Sequence, residues 1–459
     1  MDNSKATEYD GLPLTRRIFS VMTVSLGVTV AVLDVNIMNI ALPSLSVNMH
    51  LSEADTIWIV NGYQLAIIMC LLAMSTIGEI FSYKRVYLAG LSVFTIASLA
   101  CAFSHDFLTL VASRMLQGVG ASAMMSINMT LLRLSYPKRW LGKGIGLNAT
   151  LVAIASVLAP SLAALILTNL SWHWLFLINL PIGVLAVAMG IKALPGNVVR
   201  LNERHVPKLD MVMNALFFGS LILIVQGFSH DFSTSTIIGT AIVCAAVGFL
   251  YLRRQLNLQY PLLPVDLLRI PLFSLSVLTS VASFTAQMLA MVSIPFLFEN
   301  TYGLSESETG LLFSAWPLSI LVAAPLAGSL IGKVDAGKLG GIGLALLSFG
   351  IGALALLPDQ PSYGDVIWRL MCCGFGFGIF QSPNNNVLIT SAPMNRSGSA
   401  SGMLAMARLI GQTTGATLVA LLFHLFGSEA PHTALWAGSA VALAACFISL
   451  SRLRLKKTA

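Results

Sequence analysis

The chain has 459 residues, of which 56% are hydrophobic and 10% charged, whereas a soluble domain carries about 25% charged residues. A water-soluble fold could not cover so much apolar surface, which excludes that class of protein. The net charge of +7 comes from Lys and Arg in short loops between apolar runs, and this scatter excludes a nucleic-acid-binding stripe. The lipid bilayer is therefore an expected partner, and nucleic acid is not.

Apolar runs of about 20 residues, the length that one helix needs to cross a bilayer, recur along the whole chain. The first run follows Arg16 and Arg17 as a signal peptide would, but it holds Asp34 and lacks a cleavage site, so it predicts a transmembrane helix. The predicted spans are fourteen, at residues 17–42, 56–76, 86–104, 108–132, 144–168, 174–192, 210–227, 235–253, 272–298, 310–331, 339–357, 366–390, 399–426 and 432–452.

The basic residues indicate the orientation, because Lys and Arg concentrate in cytoplasmic loops. With the amino terminus in the cytoplasm, the even-numbered loops contain Lys or Arg and the odd-numbered loops contain none. Both termini are therefore predicted to be cytoplasmic. Arg114, Arg369 and Arg408 fall within apolar segments, where a charge costs from about 2.5 kcal/mol upward and marks a functional candidate.

The chain also repeats itself weakly. Gly142 and Gly146 open one span much as Gly398 and Gly402 open a later one, each as a G-x-x-x-G pair that lets helices approach closely. Such repeats predict a six-helix bundle at each end and two extra helices between them. The predicted parts are a cytoplasmic N-terminus (1–16), the first bundle (17–192), a cytoplasmic linker (193–209), the extra helices (210–253), a cytoplasmic loop (254–271), the second bundle (272–452) and a cytoplasmic tail (453–459).

Several motifs in the first half of the chain match a family pattern. Residues 33–43 are similar to L-D-x-x-I-x-N-x-A-L-P, and residues 114–120 to R-x-x-Q-G-x-G. Residues 75–85 keep the acid and the last two bases of G-x-x-x-D-R-x-G-x-R-R, while residues 172–183 resemble W-R-W-x-F-x-I-N-x-P-I-G. By these motifs the chain resembles the major facilitator superfamily, and within it the fourteen-span drug:proton antiporter group.

The resemblance implies an all-α integral membrane protein with the major facilitator fold and fourteen transmembrane helices. In this group the R-x-x-Q-G-x-G motif, which begins here at Arg114, is associated with proton coupling. The group's antiporter motif, G-x8-G-x3-G-P-x2-G-G, implies a role for Gly146, Ala159 and Pro160, with four of its glycines replaced by alanine in this chain.

Asp34 is the one carboxylate deep in a predicted span. Asp34 and Arg114 lie on neighbouring predicted helices of opposite direction, each about 10 Å below the outer boundary at about 1.5 Å per residue, so the two side chains could meet. The hypothesis is that Asp34 exchanges a proton for a cationic solute while Arg114 helps to expel the proton. The alternative is a permanent pair that only locks two helices together.

Polar and aromatic side chains at helical spacing form a second set of candidates. They predict a central substrate cavity, with interhelical hydrogen bonding and core packing as the alternatives. The candidates are Asn61, Tyr63, Gln64, Gln287, Trp316, Gln381, Asn385, Arg408 and Gln412. Arg408 could favour an anionic or zwitterionic solute.

The loop residues Glu79, Lys84 and Arg85 are predicted to gate the inward side, with topology anchoring as the alternative. An acid there can rest against the positive end of a helix that enters from the cytoplasm. The family resemblance implies that this helix is the span beginning near Ser399.

We therefore expect a proton-coupled antiporter of the cell inner membrane that exports lipophilic cationic drugs, biocides or dyes. The alternative transporter exports a narrower metabolite, amino-acid-like or anionic, and Na⁺ stays an alternative coupling ion. No metal and no cofactor is expected, since no ATP-binding G-x-x-x-x-G-K-[ST] motif occurs. The scattered histidines disfavour an enzyme, the lack of a long soluble segment disfavours a sensor, and a monomer is expected.

Overall fold

The computed structural model describes most of the chain, at residues 10–51, 53–197, 206–229, 233–358 and 360–455. Parts of the predicted N-terminus, linker and C-terminal tail lie outside the described residues, at 1–9, 198–205 and 456–459. The boundaries of the predicted bundles stay predictions.

The fold is all-helical. Its α-helices are α1 (Leu14–Met49), α2 (Glu53–Ile80), α3 (Tyr83–Ala102), α4 (Phe107–Ser135), α5 (Lys138–Asn169), α6 (Trp174–Leu177), α7 (Asn179–Ala193), α8 (Lys208–Ser229), α9 (Thr234–Leu256), α10 (Val265–Leu268), α11 (Pro271–Phe296), α12 (Glu306–Phe313), α13 (Ala315–Leu330), α14 (Ala336–Ala355), α15 (Tyr363–Ser391), α16 (Ser397–Phe426) and α17 (Ala430–Leu455). A π-helical turn at Leu297–Thr301 continues α11, and 3₁₀ turns at Met394–Arg396 and Gly427–Glu429 precede α16 and α17.

Two of the predicted single spans are interrupted. The span predicted at 174–192 is divided between α6 and α7, and the span at 310–331 between α12 and α13. Each interruption lies three residues before a proline, Pro181 or Pro317. Since proline lacks the N–H that closes the i→i−4 hydrogen bond, the helix breaks at this position. Each stretch is nevertheless long and apolar enough to cross a bilayer as one span, at Trp174–Ala193 and Glu308–Leu330.

Length and composition support a multi-pass membrane protein. Among the described residues, eleven helices are long and apolar enough to cross a bilayer. Many of their large apolar side chains face outward, as Ile96, Leu165 and Val322 do. Such exposure is unfavourable in water and favourable in lipid, as the composition predicts.

Polar residues in the loops determine where several helices begin. The side chains of Asp106, Ser233, Ser305 and Asp335 each accept a hydrogen bond from a backbone N–H of the helix that follows. These N-caps satisfy donors that a helix cannot pair internally. Hydrogen bonds from Thr109 also hold the pKa of the Asp106 carboxyl below its ordinary value.

The chain divides into two compact units. One comprises the described residues up to Lys138, then Leu158–Leu267 and Ala392–Met406, and the other comprises Arg139–Val157, Leu268–Ser391 and the described residues from Ala407. Both α5 and α16 contribute residues to each unit.

Close helix packing in the second unit depends on the glycine-rich run of α15. A Cβ at Gly374 would lie 2.1 Å from the carbonyl oxygen of Trp316 in α13, and one at Gly376 would lie 2.5 Å from that of Gly343 in α14. Neither position has room for a methyl group. Successive glycines therefore place α15 against two neighbours, as small residues do in membrane helix interfaces.

Candidate functional site

A buried polar network in the first unit is centred on Asp34 of α1. The Oδ2 atom of Asp34 accepts a hydrogen bond from Nη1 of Arg114 in α4 at 2.6 Å. Both side chains are almost fully buried, with 1% exposure for Asp34 and 0% for Arg114. An ion pair in such surroundings is little screened, and removing one partner would leave an uncompensated charge.

The other carboxylate oxygen of Asp34 is held by two side-chain amides. Gln117 Nε2 in α4 donates to Oδ1 at 2.8 Å, and Asn179 Nδ2 in α7 donates to the same atom at 2.9 Å. Gln117 Nε2 also lies 2.8 Å from Ser98 Oγ in α3. Three helices thus meet at one carboxylate and α3 joins them through Ser98, and we call Asp34, Ser98, Arg114, Gln117 and Asn179 the Asp34 network.

Gln117 and Asn179 belong to the motifs quoted for the family, but sequence reasoning did not place them in the site. Gln117 follows Arg114 by three residues, so the two share one helix face, and this spacing could have identified it. No comparable spacing connects Asn179 to Asp34, since their contact joins helices that are 145 residues apart.

Arg114 has further partners beside the carboxylate. Its Nε donates to the carbonyl oxygen of Ile59 at 3.2 Å, and its guanidinium lies 4.4 Å from the ring centroid of Tyr63. Within the described part of the chain, Arg114 Nη2 and the Tyr63 hydroxyl have no hydrogen-bond partner. A buried polar group without a hydrogen-bond partner costs about 1–3 kcal/mol. The network therefore leaves two groups unsatisfied, which a purely structural contact between helices would not require.

A second polar cluster in the same unit surrounds Glu79 near the end of α2. Glu79 Oε1 accepts a hydrogen bond from the backbone N–H of Ser399 at 2.6 Å, and Oε2 lies 2.9 Å from Nη1 of Arg396. Ser399 lies in the first turn of α16, where free N–H groups attract an anion. The predicted contact between the loop acid and this helix is present, and its gating role stays a prediction.

Arg396 binds a second acid, Asp266 of α10, through two hydrogen bonds of 2.9 and 3.0 Å. Arg396 lies in the loop between the predicted spans 366–390 and 399–426, and no spacing in the sequence connects it to Asp266. Of the other predicted gate residues, Lys84 donates to the carbonyl oxygen of Ile191, and Arg85 is exposed. We call Glu79, Asp266, Arg396 and the Ser399 amide the Glu79 cluster.

The predicted cavity residues belong to both units. In the first unit, Tyr63 is buried, Asn61 is half-buried and Gln64 is exposed. In the second unit, the buried residues are Trp316 and Asn385, and the half-buried residues are Gln287, Gln381, Arg408 and Gln412. Their common cavity stays a prediction.

Arg408 is the one cation among these candidates. Within the described residues its guanidinium has no hydrogen bond and no acidic partner, and it lies 5.7 Å from the ring centroid of Phe284 in α11. The neighbouring turn is tightly held, because a Cβ at Gly411 would lie 2.5 Å from the carbonyl oxygen of Val281. Thr285 also donates to the carbonyl oxygen of Gly411 at 3.1 Å. The backbone that carries Arg408 is therefore fixed, while its charge stays uncompensated.

Two buried polar side chains of the second unit, Asn384 and Arg452, connect helices. Asn384, rather than the predicted Asn385, forms a hydrogen bond between α15 and α11, since its Nδ2 atom donates to Ser280 Oγ at 2.7 Å. Arg452, the last residue of the span predicted at 432–452, is only 2% exposed and donates to Asn384 Oδ1 at 2.7 Å. This polar cluster joins α11, α15 and α17 within the second unit.

The predicted antiporter motif lies on α5. A Cβ at Gly146 would lie 2.7 Å from the carbonyl oxygen of Ala324 in α13, so this glycine allows close packing. Ala159 is fully buried, and the side chain of Pro160 lies outside the described ones. In the described part of the chain, no group of three or more His, Cys, Asp or Glu side chains could hold a metal ion.

The chain matches known transporters over nearly its whole length. The model of the Major Facilitator Superfamily matches residues 24–416 and 275–458. The chain is 49% identical over 440 residues to the "Uncharacterized transporter YebQ" of Escherichia coli, covering 96% of both chains. It is 29% identical over 402 residues to the "Riboflavin transporter RibZ" of Clostridioides difficile, covering 87% of each.

A more distant relative is the "Multidrug resistance protein Stp" of Mycobacterium tuberculosis, which is 26% identical over 407 residues, with 87% of this chain and 74% of Stp covered. Among solved structures, that of the human organic anion transporter MFSD10 superimposes with a TM-score of 0.68 at 14% identity, covering 95% of this chain and 100% of the other. At that identity, the likeness concerns the fold alone.

Proposed function

The chain belongs to the Major Facilitator Superfamily and is a membrane transporter rather than an enzyme, and from that membership we propose that it is a proton-coupled drug exporter. It exports lipophilic cationic drugs, biocides or dyes across the cell inner membrane as a monomer of the fourteen-span antiporter group. The proton gradient drives it, both termini are cytoplasmic, and two extra helices separate two six-helix bundles. Similarity to a multidrug resistance protein supports the drug-export part of the proposal.

The observation that carries the coupling mechanism is the buried Asp34–Arg114 pair, with 2.6 Å between Oδ2 and Nη1. A proton that binds Oδ2 makes Asp34 neutral and removes the counter-charge of Arg114. The amides of Gln117 and Asn179 donate to Oδ1, so they can still donate to this oxygen, although less strongly, when Oδ2 carries the proton. Protonation therefore weakens the contact to Arg114 while the other contacts persist.

Arg114 has an alternative environment close by once its ion pair weakens. The face of Tyr63 is 4.4 Å away and that of Phe176 is 5.7 Å away, and an aromatic face attracts a cation. This attraction is weaker than a buried ion pair, so the protonated state favours movement of α1 relative to α4. A solute that prefers one of these states then exchanges against the proton.

A permanent lock between α1 and α4 is the competing interpretation of the same pair. The unpaired Arg114 Nη2 and Tyr63 hydroxyl favour the switch, because a second arrangement could satisfy groups that this one leaves without partners. A permanent contact between two helices would gain nothing from polar groups that lack hydrogen-bond partners.

The second candidate is export of a narrower metabolite that carries a negative charge. The uncompensated Arg408 beside Phe284 favours it, since an intramembrane cation without an acid suits a ligand with a carboxylate and an apolar body. Asp34, by contrast, has both oxygens engaged by protein donors. A cationic solute must therefore compete with Arg114 for this carboxylate.

Ethidium extrusion from preloaded cells that lack other pumps tests the proposal. We expect the unmodified protein to extrude ethidium, and both a protonophore and Asp34→Asn to abolish extrusion. If the correctly inserted protein extrudes no ethidium but exports an aromatic carboxylate, the anionic candidate replaces the cationic one. Extrusion by Asp34→Asn that remains sensitive to the protonophore would remove Asp34 from the mechanism.

A further inference from the structure

Arg396 of the Glu79 cluster makes more hydrogen bonds to the segment after α9 than to Glu79. It makes one hydrogen bond to Glu79, at 2.9 Å, but two to Asp266 and another to the carbonyl oxygen of Pro261 at 3.0 Å. The guanidinium is planar and its donors point in fixed directions. The position of the segment 261–266 therefore determines where Arg396 can meet Glu79.

That segment is in turn held by Gln255, the penultimate residue of α9, which is fully buried. Gln255 Oε1 accepts hydrogen bonds from the backbone N–H groups of Leu262 at 2.6 Å and Leu263 at 3.2 Å. Its Nε2 donates to Asp210 Oδ1 in α8 at 2.7 Å. Every polar atom of this amide is thus used to fix the turn between α9 and Arg396.

Asp210 also pairs with Arg254 at 2.7 Å, so it joins α8 to the end of α9. Helix α8 is itself attached to α2, because Asn214 Nδ2 donates to the carbonyl oxygen of Met69 at 2.9 Å. Since α2 also carries Glu79, these contacts form a closed circuit from α2 through α8 and α9 to Arg396 and back to Glu79.

We propose that Asp210 and Gln255 are positioning residues of the gate, and that holding Arg396 against Glu79 is a function of the two extra helices α8 and α9. This inference rests on the proposed gating role of Glu79. Without the amide of Gln255, the buried N–H of Leu262 and the partly buried N–H of Leu263 lose their acceptor, and the segment must move to find others. Arg396 then loses its fixed orientation although neither acid of the cluster has changed.

Hydrogen–deuterium exchange of the full-length protein in lipid nanodiscs tests this inference. The readout is the exchange of residues 392–406, which include the Ser399 amide bound by Glu79. Arg396→Ala should accelerate this exchange about tenfold, and Gln255→Leu about threefold to tenfold, because each removes buried hydrogen bonds of the circuit. Asn257→Ala, a change of an exposed residue next to the same helix end, should leave it unaltered.

A swap of the two positioning residues separates this role from general instability. Gln255→Glu alone places two carboxylates together and should accelerate exchange at 392–406. Combined with Asp210→Asn, it restores a hydrogen bond of reversed direction between the two side chains and should recover most of the protection. Gln255→Leu added to Arg396→Ala should accelerate exchange no further, since both act on one circuit.

Two results would overturn the inference, and they differ in what else they affect. If Arg396→Ala accelerates exchange at 392–406 and slows transport while Gln255→Leu loosens only residues 261–268, the gate stands and the positioning role fails. If Arg396→Ala changes neither exchange nor transport, the proposed gate fails and the inference with it.

Discussion

Two intramembrane arginines, one in each unit of the molecule, have opposite surroundings. Arg114 is fully buried, lies 2.6 Å from a carboxylate and rests on an aromatic ring. Arg408 is half-buried, lies beside the ring of Phe284 and, among the described residues, has no acidic partner. The same side chain is thus compensated by the protein at one place and left uncompensated at the other.

Under the proposed function, this difference predicts separate roles for the two sites. Arg114 suits coupling, because its charge loses compensation when its partner Asp34 takes up a proton. A charge that the protein leaves uncompensated can respond to a solute, so Arg408 suits recognition. Each of the two arginines carries the energetic cost of an intramembrane charge for a different purpose. Variants at Arg114 should therefore affect coupling, and variants at Arg408 should affect recognition.

The largest effect is expected for Asp34→Asn, which removes the titratable member of the first site. The purified protein should lose the proton release that a transported solute triggers, and uphill transport should fall about a hundredfold or more, since the remaining Arg114 charge is buried without compensation. A pH indicator in weak buffer measures the release. Asp365→Asn, which alters a half-exposed pair with Arg369, is the matched control and should retain it.

Arg114→Lys should have the next largest effect, because it keeps the charge but not the geometry. A lysine cannot reproduce both the bond to Asp34 and the Nε bond to Ile59, nor the flat contact with Tyr63. We expect about a thirtyfold loss of uphill transport, equivalent to about 2 kcal/mol, in proteoliposomes with an imposed pH gradient. Transport at the original rate would show that only the charge matters and would favour a simple electrostatic lock.

A change of charge at Arg408 should affect recognition without affecting coupling. If the anionic candidate holds, Arg408→Gln should raise the KM for an aromatic carboxylate about tenfold, through the loss of one charge-assisted contact, while solute-triggered proton release per transported molecule stays constant. The control is Arg369→Gln, which changes an arginine that is already paired with Asp365 and should leave the KM unaltered. If Arg408→Gln instead weakens ethidium transport and spares carboxylates, the anionic candidate is wrong.

The sequence predicts helices better than it predicts the sites between them. Runs of about 20 apolar residues reveal the membrane helices because the bilayer imposes that length. The helical rise predicts that Asp34 and Arg114 could meet, and the structure joins them at 2.6 Å. The interruption of the span at 310–331 does not show in its apolar composition, which continues through it. Pro317 marks the place, because a proline lacks one backbone donor and favours a kink.

Contacts between distant segments could not be predicted from spacing. Asn179 reaches Asp34 across 145 residues, and Arg396 reaches Asp266 across 130, so only the packing of helices determines these pairs. Arg452 illustrates the same limit, since its hydrogen bond to Asn384 joins residues 68 apart in the chain.

The smallest effect is expected for Asn179→Ala, which tests how much of the first site's behaviour depends on the amides around the ion pair. This change removes one of the two donors to Asp34 Oδ1, at 2.9 Å, and leaves Gln117 and Arg114 in place. A net hydrogen bond is worth about 1 kcal/mol, so uphill transport should fall about fivefold, while proton release per solute persists. Asn169→Ala, at an exposed amide that bonds only to its own helix, is the control. Loss of proton release in Asn179→Ala would show that coupling depends on the amides as well as on the Asp34–Arg114 pair. Both donors to Oδ1 would then be needed to keep the carboxyl in place while its charge changes.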